Sequence, residues 1–300
     1  MKDARVCTDF LIALLLLAID CGAQTRGLRV FISADMEGVA GVVNAAQLAP
    51  GGLDYELFRK LMTGEVNAAI EGAIAAGANE LTVADSHGNE LSILPNELNP
   101  KARLIRSGPR PLGMMEGIDG GFDAVFFIGY HASINTPGAV RAHTFSSARY
   151  FDVRLNGEHA SEALVNAAVA GHFGIPVVLV SGDDAIVQEV HRTIDPAITG
   201  VAVKRAIGYH SADSLSPEVA RNLIRESSKA ALTHVGLCHP FVVPKPITLE
   251  ISFKNMINAE ILSFLPQVQR IDGPTIRFRG KDMVEVEKFL QVVGSYDSNQ

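Results

Sequence analysis

Cysteine is nearly absent from this chain, which removes one way of holding a fold together. The 300 residues include three, Cys7, Cys21 and Cys238. The first two fall in a segment that reads as a removable leader, so no intramolecular disulfide is available. Stability must come from a packed core. Basic residues are also scarce: 26 Lys and Arg stand against 33 Asp and Glu, for a net charge of −7. They are scattered, and no basic stripe runs along the chain to neutralise phosphates, which excludes a general nucleic-acid binder. Low-complexity tracts and internal repeats are missing too. With 47% hydrophobic and 20% charged residues, the chain can bury a substantial core and does not read as disordered.

A hydrophobic run long enough to span a bilayer comfortably is also lacking. The apolar stretch near the start, Phe10 to Ile19, is preceded by Lys2 and Arg5 and followed by small residues. That three-part layout predicts a secretory signal over residues 1–23, cut after Ala23 with Cys21 three positions before the bond. An uncleaved anchor is the alternative. A lipoprotein cut before Cys21 is disfavoured by Asp20, which stands where a small residue is wanted. The expected location is therefore periplasmic or extracellular, with no stable membrane association after cleavage.

What is present is a set of short apolar, β-branched runs. "LRVFIS" (28–33), "ELTVA" (80–84), "DAVFFIG" (123–129) and "IPVVLVS" (175–181) lack clean alternation, as expected of strands covered on both faces. Helical spacing fills residues 55–76 and the stretch "SEALVNAAVAGHFG" ahead of the fourth run. Strands alternating with helices predict an α/β fold, a mostly parallel three-layer αβα sheet domain over residues 27–190. After about residue 190 the texture changes. "SPEVARNLIRESSKAALTHV" opens with Ser216 and Pro217 like a helix start, and "PITLEISF" alternates like a half-exposed strand. A short helix, a further strand and a last helix follow, predicting a smaller α+β domain over residues 191–300.

Polar residues collect just beyond the apolar runs. The first run, in "VFISADMEGVAG", leads into Asp35 and Glu37; the second into Asp85, Ser86 and His87; the third into His131. Ligands of open α/β sheets bind beyond the carboxyl ends of the strands. Asp35, Glu37, His87 and His131 are thus placed on one rim. Two neighbouring carboxylates repel and resist burial unless a positive charge compensates them. Imidazole with carboxylate suits zinc, and also manganese or iron. Several carboxylates can bridge two cations at roughly 3.5–4 Å. Taken singly, each residue has an ordinary alternative: a turn former, a helix cap or a satisfied polar histidine. A serine nucleophile at Ser86 lacks the G-x-S-x-G frame. Asp183 and Asp184 read as helix caps.

"SADMEG", "DSHG" and "GYHA" together, with "TPG" following and "VKRAIG" further on, resemble the zinc-dependent D-aminopeptidases of the dipeptide-transport-operon type. The likeness runs from Leu28 to the last helix. It implies a metallopeptidase with two Zn2+ per subunit, held by Asp35, Glu37, His87 and His131, with Glu162 as a fifth ligand and Glu158 as its competitor one helical turn away. It also implies His143, in "VRAHTFSS", as the catalytic residue, acting as nucleophile or general acid–base. Glu65 and Asn67 match a family motif but take no chemical role from it. The implied reaction is removal of N-terminal residues, D-alanine among them, from short peptides. The implied assembly is a ring-based homo-oligomer such as a decamer. Two rivals are a dinuclear phosphoesterase, which would want Arg141 and Arg149 near the rim for phosphate, and an exported peptide-binding protein without catalysis.

Overall fold

Residues 27–295 are described by the structure, a computed structural model; the leader expected over residues 1–23 lies outside them. The chain runs from β1 (Leu28–Ala34) through α1 (Tyr55–Ala75) to β2 (Ala78–Asp85) and β3 (Ala102–Ile105). Then come β4 (Ala124–Tyr130), the hairpin of β5 (Tyr150–Leu155) and β6 (Glu158–His159), and α2 (Glu162–His172). Next are β7 (Val177–Asp183), α3 (Asp184–Thr193), β8 (Thr199–Gly208), β9 (Ser211–Ser214) and α4 (Pro217–Thr233). Last are β10 (Ile247–Phe253), α5 (Met256–Leu262), β11 (Val268–Arg270), β12 (Thr275–Gly280) and α6 (Met283–Ser295).

Seven strands form one sheet in the order β3-β2-β1-β4-β7-β8-β9. All its pairings are parallel except the β8–β9 hairpin. Every residue of β4 and β7 is buried, which is why their sequences read as unbroken apolar runs. Helix α1 packs against α4, and α2 against α3. The predicted αβα arrangement is therefore the observed one. The chain moves one way along the sheet from β1 to β3 and the other way from β4 to β8. The reversal falls between β1 and β4, where a crevice opens at the strand ends.

A second, antiparallel sheet has the order β11-β12-β10-β5-β6. In β10 the alternation is as read: Ile247, Leu249, Ile251 and Phe253 are buried. The division drawn at residue 190 does not follow the sheets. Strands β8 and β9 beyond it complete the first sheet, and α4 covers α1. Strands β5 and β6, well before it, join the second sheet, with Val153 opposite Ile251. Sheet membership is set by ladder pairing, not by position along the chain. Composition offered no sign of this exchange.

One buried cation ties β8 to the loop after β1. Lys204 is almost wholly buried, and its Nζ donates to the carbonyls of Glu37, Val39 and Val42 at 2.5, 3.0 and 2.7 Å. Burial lowers its pKa to about 8 against the pull of Asp183, Glu65, Glu37 and Asp35. Glu65 secures the same loop from α1, accepting from the Ala40 amide at 2.9 Å. Lys204→Met leaves three buried carbonyls unsatisfied and is expected to lower unfolding free energy by about 3 kcal/mol, measured by urea denaturation.

Candidate metal centre

Each functional side chain reaches the crevice for a local reason. Beyond β1 the chain crosses the end of β4: the Asp35 amide donates to Ile128 O and the Gly38 amide to Gly129 O. The approach is so close that a Cβ on Gly38 would lie 2.1 Å from the Tyr130 carbonyl oxygen. At Gly129, with φ of +72°, a Cβ would lie 2.3 Å from that of Asp35. Only glycine fits either position, and the crossing brings Asp35 and Glu37 into the cleft. His87 follows β2. Its Nε2 lies 2.8 Å from Leu48 O, so Nε2–H donates there and Nδ1 faces the acids, 3.2 Å from Asp35 Oδ1 and 2.9 Å from Glu37 Oε2. A carbonyl that orients a ring in this way is the usual support of a ligating histidine.

His131 follows β4. Its Nδ1 is 3.1 Å from Ala132 O, while Nε2 points at Asp35 Oδ2 (3.4 Å) and Glu162 Oε1 (3.3 Å). Glu162 is the first residue of α2, behind the Ser161 cap that accepts from the Leu164 amide. Its Oε1 accepts from the Phe145 amide at 2.6 Å. His143 lies in the loop after β4, with Nδ1–H donating to Arg141 O at 2.8 Å. Its ring stacks on that of His131, centroids 4.1 Å apart and planes 6° from parallel. Nε2 is left 3.8 Å from Glu162 Oε1 and 4.0 Å from Glu37 Oε1.

All six side chains are buried, and their charges compensate one another. Burial, then Glu37, raises the Asp35 carboxyl to about 7. Burial would raise Glu37 as well, but His87, His143 and His131 outweigh it and hold that carboxyl well below its usual range. Burial opposes the proton on His131, yet Glu162 and Asp35 bring it to about 10. His87 is likewise raised well above its usual value against burial, chiefly by Glu37 and Asp35. His143 goes the other way: burial, then the neighbouring His131, lowers it. It is the imidazole here that stays neutral with an open Nε2.

The residues fit metal ions. Among the described residues, Asp35 Oδ2 and His131 Nε2 are buried without a hydrogen-bond partner, although they face each other's neighbourhood. Ligand atoms of Asp35, Glu37 and His131, and again of His131, His143 and Glu162, lie within 4.8 Å of one another. The structure thus brings together Asp35, Glu37, His87, His131, His143 and Glu162, while Glu158 stays exposed on β6. Asp183 caps α3 through the Ile186 amide and also accepts from the Val140 amide at 2.8 Å. Asn67 pins the loop at Glu97 and Asn99. Sequence reading missed Lys204, and it missed the far wall of the cleft. That wall is formed by residues 107–109 with Gln291 and Ser295 of α6, segments whose meeting no local pattern announces.

The cleft over the centre measures about 560 Å³. Neither Arg141 nor Arg149 lines it. Arg141 stacks over Tyr209 at 5.2 Å, and Arg149 holds the last carbonyls of α6, Val293 O and Gly294 O. The phosphate-binding groups that a phosphoesterase would want are therefore turned to structural use.

An open α/β sheet with carboxylates and imidazoles gathered at its switch point defines a metal-dependent hydrolase. The chain belongs to the D-aminopeptidase family, peptidase M55, which it matches over residues 28–292. It is 33% identical over 267 residues to a D-aminopeptidase of Bacillus subtilis (strain 168), covering 89% of this chain and 96% of that protein. Its structure is similar to that of the Zn-dependent D-aminopeptidase DppA from Bacillus subtilis, described as a self-compartmentalizing protease. The TM-score is 0.86 at 31% identity, over 91% of this chain and all of the other.

Proposed function

We propose that this chain removes N-terminal D-residues, D-alanine among them, from short peptides, using two zinc ions held by Asp35, Glu37, His87, His131 and Glu162. That it is a metal-dependent aminopeptidase follows from its family. The observation that carries the two-metal reading is the convergence of three acids and three imidazoles, with Asp35 Oδ2 and His131 Nε2 lacking a hydrogen bond, beside a cleft lined by five of them. The preference for D-residues rests on the relatives. Zinc, when bound, supplies Lewis-acid polarisation of a carbonyl and a nucleophilic water at neutral pH. The chain's own residues do the rest. His143 offers a neutral Nε2 that takes up and returns a proton beside the reacting bond. Arg141 O fixes its tautomer, and His131 fixes its plane.

Zinc-loaded protein is expected to release p-nitroaniline from D-alanine p-nitroanilide at least about tenfold faster than from the L-isomer. Turnover of p-nitrophenyl phosphate with no release from either anilide would overturn this reading. We also propose export directed by residues 1–23, and assembly with further copies of the chain. Mass determination of the secreted protein and light scattering test these. Among the described residues, no helix is long and apolar enough to cross a membrane.

A further inference from the structure

We infer that the groove beside the catalytic cleft is a subsite for the terminal carboxylate of the substrate peptide, and that Lys288 is the residue that reads it. This rests on the aminopeptidase reading and narrows its substrate class. The groove, about 450 Å³, adjoins the cleft, with Pro109, Gln291 and Ser295 lining both. A peptide seated with its first bond at the metal centre can therefore extend into the groove without leaving the protein surface.

The charged groups differ along that path, and in the cleft Asp35, Glu37 and Glu162 are the carboxylates that would hold the zinc ions. Apart from its histidines, the charged residues lining the cleft are all acidic: Asp35, Glu37, Glu90 and Glu162. Those lining the groove are both basic, Arg110 and Lys288. Arg110 is buried beneath the groove. Its Nη2 donates to Asp85 O at 3.0 Å and Glu90 Oε1 at 2.6 Å, yet its Nε and Nη1 have no hydrogen-bond partner. Its guanidinium is thus anchored at the junction, one edge committed and the other without a hydrogen bond. Lys288, exposed on α6 one turn before Gln291, has no hydrogen bond or ion pair among the described residues. Among the described residues it is an uncommitted cation lining the groove, available to a carboxylate. Pro109, Pro111 and Val292 supply apolar walls that suit a small aliphatic side chain on the last residue.

A peptide seated by its first residue at the metal centre meets basic side chains, Arg110 and Lys288, where its free carboxylate would lie. The substrate class is accordingly short peptides with an unmodified carboxyl terminus and a small apolar last residue. Peptides continued or amidated at that end lose the charge-assisted contact.

The test compares D-alanyl-D-alanine with its C-terminal amide, using zinc-loaded full-length wild type, Lys288→Met and Lys288→Arg. Wild type is expected to favour the free acid by about tenfold in kcat/KM, carried by KM. In Lys288→Met that ratio falls to about one, and in Lys288→Arg it is largely retained. Equal use of acid and amide by the wild type, or a preference that survives in Lys288→Met, would overturn the subsite while leaving the aminopeptidase reading intact. Failure of the wild type to cleave any alanyl substrate would overturn both.

Discussion

Exchanging Asp35 for asparagine is expected to lower kcat/KM by about a thousandfold or more and to leave a folded protein. Asp35 faces His87, His131 and Glu37 at once, so the loss of its charge removes a ligand from the group it forms with Glu37 and His131. Folding should survive because, without metal, this carboxylate is a burden. Its pKa, about 7 in the fold, lies above the unfolded value of about 3.9. The folded state therefore binds the proton more tightly. The stability that this confers is fully present below the unfolded pKa and is lost as pH rises through about 7. Asparagine does not titrate. In the presence of a chelator the variant should gain on the wild type between about pH 4 and pH 7, as read from urea midpoints. Zinc should reverse the ranking, because binding to the native state stabilises the wild type alone. A metal-free variant that retained full activity would end the metal hypothesis.

The second large effect is expected at His143. Its removal in His143→Ala should lower kcat by about 10²–10⁴-fold, with little change in bound zinc. The distinction matters because His143 lies within coordination reach of His131 and Glu162, and distances alone admit it as a ligand. Its ring argues for proton transfer. Nδ1–H is committed to Arg141 O, and burial beside His131 keeps the pKa below the ordinary histidine value. The acid limb of the wild-type kcat profile should accordingly lie below about pH 6.5. Elemental analysis is decisive: loss of about one zinc equivalent per chain in His143→Ala would make this residue a ligand instead.

Much of this site was legible because it is built from strand ends. Asp35, Glu37, His87 and His131 each follow an apolar run, and a parallel sheet sends the carboxyl ends of neighbouring strands to the same edge. Glu162 and His143 were not legible in that way. They lie on the start of a helix and in a loop, and only the resemblance pointed to them. The same holds for the second sheet. "PITLEISF" alternates as a strand should, but nothing in it names β5, about a hundred residues earlier, as the strand it would pair with.

Lys204 is the clearest case. By itself it is one lysine in the strand sequence "AVKRAIG", where an outward, solvated side chain is the ordinary expectation. The fold places it where the loop after β1 turns three carbonyls toward one point, and there a cation is required. The chain's composition and periodicity determined a packed parallel sheet with its polar residues at one rim, because burial and hydrogen-bond geometry act on every strand alike. The tertiary structure decided which loops face each other across that rim, which acids share a histidine, and where α6 closes the cleft. Those contacts depend on loop paths and ladder pairings between distant segments, which no local pattern encodes.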